Sequence, residues 1–65
     1  MESLGGLADE IAALEQRVSD VIYDALRAQV RGENSEQARD LERRLARVRR
    51  SLHKAAAELR SWRDA

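Results

Sequence analysis

Apolar and small side chains recur along the first half of the chain at Leu4, Leu7, Ile11, Leu14, Val18, Val21, Ala25 and Ala28, with steps of three and four alternating throughout. That is the period of an α-helix that buries one stripe against a neighbour. A second seam runs through Ala38, Leu41, Leu45, Val48, Leu52, Ala55, Leu59 and Trp62. The two are out of phase. Extending the first would require apolar residues at 32, 35 and 39, where Gly32, Ser35 and Arg39 stand, so a single straight rod does not satisfy both. Between them, Arg31-Gly32-Glu33-Asn34-Ser35 offers a glycine for the left-handed position past a helix end, then Asn34 or Ser35 as N-cap, with Glu33 and Glu36 near the positive end of the next helix dipole. The pattern predicts one helical-hairpin domain over 1–65, with helix 1 at about 7–31, a loop at 32–34 and helix 2 at about 35–63. Gly5-Gly6 blurs the start of helix 1 and leaves Leu4 at a frayed turn.

Folding the chain back antiparallel about this loop sets Val18 opposite Val48, Leu14 opposite Leu52, Leu7 opposite Leu59 and Leu4 opposite Trp62, with small Ala28 and Ala38 together near the turn. Charge agrees with the pairing. Residues 1–37 hold three basic and eight acidic side chains, a balance of −5, and residues 38–65 hold nine and four, a balance of +5. Glu15 is expected near Arg49 and Asp24 near Arg44 across the flanks.

One seam between two helices is a thin core for a chain this short, and a second strip lies beside it. Ala8, Ala12, Ser19, Ile22 and Leu26 flank the seam of helix 1, and Ala46, His53 and Ala56 flank that of helix 2, whereas Glu10, Arg17, Asp24, Arg31, Arg44, Ser51 and Glu58 make the other flank polar. The expected fold is therefore all-α: an antiparallel helical hairpin of two long helices that dimerises through the first flank into a four-helix bundle. In layout this is similar to the plasmid RNA-regulating protein Rop, a dimer of helical hairpins of similar size. The likeness is one of architecture, covers no motif and carries over no functional residue.

Composition narrows the picture further. The 65 residues include no Cys and no Pro, one Trp, one Tyr and no Phe, and twelve basic side chains balance twelve acidic ones. Disulfide staples and cysteine-based metal sites are thereby excluded. No run approaches the roughly 20 apolar residues of a membrane span, and Met1-Glu2-Ser3-Leu4-Gly5-Gly6 lacks the basic flank of a signal peptide, so a cytoplasmic protein with no membrane partner is expected. Eleven of the twelve basic residues are Arg, the bias of a GC-rich coding sequence, and a bacterial source is expected.

Four features carry candidate chemistry. Arg39, Arg43, Arg47, Arg50 and Lys54 form a stripe on the outer face of helix 2, roughly 22 Å long at 1.5 Å per residue, which suits nucleic-acid phosphates. A solvated face is the plainer reading, since no aromatic interleaves the stripe. Tyr23, Leu26 and Val30 extend the apolar surface of helix 1 outward, either as a docking patch for a protein or as the end of the dimer interface. His53, the only histidine, has no second His or Cys at metal-ligand spacing. Trp62 is placed to close the open end of the bundle.

No nucleophile, base and acid arrangement and no glycine-rich phosphate loop is present; the expectation is no enzyme activity, no metal and no cofactor. The leading reading is a non-enzymatic, homo-oligomeric helical interaction or scaffold module that binds itself and a protein partner. The alternatives are a small nucleic-acid-binding regulator that uses the arginine stripe, and an accessory subunit of a larger complex.

Overall fold

A computed structural model describes residues 3–62 and contains two helices, α1 (Leu4–Val30) and α2 (Ser35–Ser61), packed side by side. They make an antiparallel rod about 47 Å long and two helices wide. The expected end of helix 2 at residue 63 lies outside the described residues.

Helix α1 starts three residues before the position expected from Gly5-Gly6. Ser3 is the reason: in an extended conformation it caps the helix, its Oγ accepting from the Gly6 N–H at 2.9 Å while its carbonyl accepts from Leu7 at 3.1 Å. Gly6 leaves room for this, because a Cβ there would sit 2.9 Å from the same Oγ. Leu4 is consequently the first helical residue rather than part of a frayed turn.

The turn closes with two hydrogen bonds that satisfy carbonyls at the end of α1. Gly32 N–H reaches the Gln29 carbonyl and Glu33 N–H the Ala28 carbonyl, each at 3.0 Å, with Gly32 at φ +75°. This is a Schellman ending, and it needs the left-handed residue that glycine supplies. Asn34 takes the N-cap position of α2 but is itself left-handed (φ 45°) and makes no side-chain cap bond. The start of α2 is instead held by the Ala38 N–H to Asn34 carbonyl bond at 2.9 Å and by Glu36 in its first turn.

The helices meet along a line rotated from the expected seam. Its centre is as expected: Leu4, Ile11, Val18 and Ala25 of α1 and Ala38, Leu45, Leu52 and Leu59 of α2 are all buried or half-buried. Beside it the contact runs through Ala8, Glu15, Ile22 and Gln29 and through Ser35, Glu42 and Ala56, not through Leu14, Val21, Leu41 and Val48. Alanine explains the choice. Ala8 and Ala56 on that side are buried together with Ala25 and Ala38 of the central column, and short side chains let two helix backbones approach closely. Ile22 is the single large side chain buried among the described residues, so the hairpin encloses little core of its own.

Candidate interaction surfaces

The rotation leaves one column of each helix uncovered. Leu14, Val21, Leu41 and Val48 are 44%, 46%, 45% and 43% exposed. All four lie on one side of the rod, where Leu14, Val18, Val21 and Leu45 line one open groove of about 400 Å³ and Val21, Ala25, Ala28, Ala38 and Leu41 line another of about 340 Å³. Trp62 continues the column at the end away from the turn. It is 71% exposed, so within the hairpin it does not close the end against Leu4.

The flank expected to meet a second copy is largely taken up by the hairpin itself. Ala8, Ile22 and Ala56 are buried between α1 and α2, Ala12, Ser19 and Ala46 are half-buried, and Leu26 and His53 are exposed. Periodicity misses this because the central column has apolar neighbours on both sides in α1, and spacing alone does not say which side a single partner helix covers. The covered side carries Ala8 and Ala56 with Ile22, Glu15 and Gln29, the uncovered side Leu14, Val21, Leu41 and Val48.

On the covered side, Glu15 occupies a seam position and keeps only 26% of its side chain exposed. His53 Nδ1 lies 3.4 Å from its carboxylate, and Arg49, Arg50 and Lys54 complete an open hollow of about 290 Å³ around the pair. The expected partner of Glu15 was Arg49; the structure gives it His53 instead, with Arg49 beside them. Towards the end of the rod, Arg60 bonds Asp9 at 3.1 Å. Together these two contacts mark the register of the hairpin.

The expected Asp24 and Arg44 pair does not form. Asp24 is bound by Arg27 of its own helix at 2.8 Å, and Arg44 by Asp40 of its own at 3.1 Å. Both residues stand on the uncovered side, which the rotation opens, and so each finds the neighbour one turn away.

Every member of the stripe Arg39, Arg43, Arg47, Arg50 and Lys54 is exposed, and none forms an ion pair among the described residues. Tyr23, Leu26 and Val30 are 62%, 42% and 88% exposed, and the Arg27 guanidinium sits over the Tyr23 ring, 4.9 Å from its centre. No known protein family, curated protein or solved structure matches this chain.

Among the described residues, no three His, Cys, Asp or Glu side chains group as a metal site, and no helix is long and apolar enough to cross a membrane. What the surface offers a partner is one apolar column, one aromatic patch and one cationic stripe.

Proposed function

We propose that this protein is a non-enzymatic helical interaction module that self-associates through the uncovered column into a four-helix bundle and presents its outer faces to a protein partner. The observation that carries this reading is the apolar column of Leu14, Val21, Leu41 and Val48, each a little under half exposed along a hairpin whose own core holds one large side chain among the described residues. Two such columns facing each other give all eight side chains the burial that a two-helix rod does not. Tyr23, Leu26 and Val30 lie away from that column and are the candidate contact for a different protein, with aromatic and aliphatic surface together.

Sedimentation analysis at low micromolar concentration tests the association. The unmodified chain is expected to sediment as a dimer, and Val21→Asp with Val48→Asp as a monomer of reduced helicity, since association and core completion are coupled. A fully helical monomer of the unmodified chain sinks the proposal.

The unpaired stripe favours a second reading, a regulator that binds nucleic-acid phosphates. Titration with duplex RNA and DNA at 50 mM and 200 mM salt decides it, because real phosphate contacts weaken steeply over that range. Absence of binding at the lower salt retires this reading.

A further inference from the structure

We infer that the partner seated on the uncovered column is a second copy of this chain oriented with both turns at the same pole of the bundle, so that α1 of each copy packs on α2 of the other. This rests on the self-association proposed above and adds its geometry. Two symmetric ways exist of laying one uncovered face on another. With the two-fold axis along the rod, the turns share a pole and α1 meets α2. With the axis across the rod, the turns lie at opposite poles, α1 meets α1 and α2 meets α2.

Charge at the edge of the column distinguishes them. Asp20 and Asp24 border the same open grooves as Val21, Arg27 is bonded to Asp24, and Arg44 lies three residues past Leu41 and four before Val48, bonded to Asp40. A two-fold axis along the rod leaves each residue at its own height. The heights are set within the hairpin, where Glu15 is level with His53 and Asp9 with Arg60. Carried across the interface, that register sets Asp24 against Arg44 of the second copy, Arg27 against Asp40, and Asp20 against Arg47. The two intrahelical pairs thereby face each other with opposite polarity and close into a four-charge network, formed twice by symmetry. One like-charged pairing, Glu10 with Glu58, falls near the opposite pole.

The other arrangement does the reverse. Turning α1 (Leu4–Val30) about its midpoint sets Arg17 against its own copy and Glu10 against Asp24, while the same axis cuts α2 at Ser51, level with Arg17 in the register above, and sets Arg44 against Glu58. Like charges meet along the α1 contact, and the α2 contact returns only Arg44 with Glu58, against three opposite-charge pairings per copy in the same-pole bundle. Because both arrangements bury similar apolar columns, the charges decide.

The chain has no cysteine, so one introduced thiol carries a unique label. Glu33→Cys in the turn and Ser61→Cys at the other pole are each spin-labelled, after sedimentation has established the dimer, and the distance between the two copies is read by pulsed dipolar spectroscopy. For the same-pole bundle each variant gives about 20 Å, two helix diameters, and a mixture of the two variants adds a component near the 47 Å rod length. Distances near 47 Å in each variant alone, with a short component in the mixture, overturn the orientation and leave the dimer standing. A monomer overturns both. As an independent check, Asp24→Arg weakens association and the added Arg44→Asp restores it; failure of the second change to rescue counts against the network.

Discussion

His53 Nδ1 of α2 lies 3.4 Å from the Glu15 carboxylate of α1, and the acid is the more enclosed of the two, 26% exposed against 75% for the imidazole. A carboxylate thus occupies a seam position between Ala8 and Ile22. A polar contact so open on one side contributes little to stability, while an apolar side chain at the same place gains burial. Glu15→Leu is expected to stabilise the hairpin by about 1–2 kcal/mol, and His53→Ala to be nearly neutral. Thermal denaturation followed by circular dichroism checks both, and a destabilised Glu15→Leu contradicts the assignment of Glu15 to the seam.

Ile22 gives the converse expectation. As the single large buried side chain among the described residues, its truncation to Ala opens a cavity that the neighbouring alanines do not fill. A loss of about 2–4 kcal/mol is expected, read as a lowered urea midpoint. Leu26→Ala on the exposed side should cost well under half of that.

At the turn the two left-handed residues should respond in opposite directions. Gly32→Ala introduces a Cβ at φ +75° and is expected to cost about 1–2 kcal/mol. Asn34→Gly removes a Cβ at φ 45°, where the side chain makes no cap bond, and should be neutral or mildly stabilising. Urea titrations of the two variants side by side provide the comparison.

The Ser3 cap predicts a local effect. Ser3→Ala removes the acceptor of the Gly6 N–H and is expected to cost about 1 kcal/mol. Amide exchange should rise in the first turn of α1 and stay unchanged near the loop.

Arg39, Arg43 and Arg50 are exposed and unpaired among the described residues, so replacing all three by Gln should leave helicity and the association state unaltered. If the unmodified chain binds duplex nucleic acid, the same triple variant flattens the plot of log affinity against log salt by roughly 2–3 units.

Much of the hairpin is legible in the amino-acid sequence. The phase break at Gly32, the small residues near the turn and the central column from Leu4 to Leu59 follow from spacing, because helical period leaves few other solutions. The side on which the helices close does not. In α1 the central column has Leu7, Leu14 and Val21 on one side and Ala8 and Ile22 on the other, and both are apolar enough to be buried. The outcome turns on backbone separation, which alanine shortens and which a periodic pattern does not record. Glu15 and Gln29 also lie on the covered side, where polarity argued against them; Gln29 Nε2 is left buried without a partner, a cost accepted with the close approach of the alanines. Asp24 and Arg44 stay apart within the hairpin for the same reason, since both stand on the side that opens.

Because the chain doubles back once, α1 begins and α2 ends at the same tip of a stiff rod, while the turn stands some 47 Å away. A cargo joined ahead of Leu4 and another joined after Ser61 would be held within one helix diameter of each other, as the two jaws of tweezers meet at their hinge. Reach and adjacency are thereby separated on one short chain.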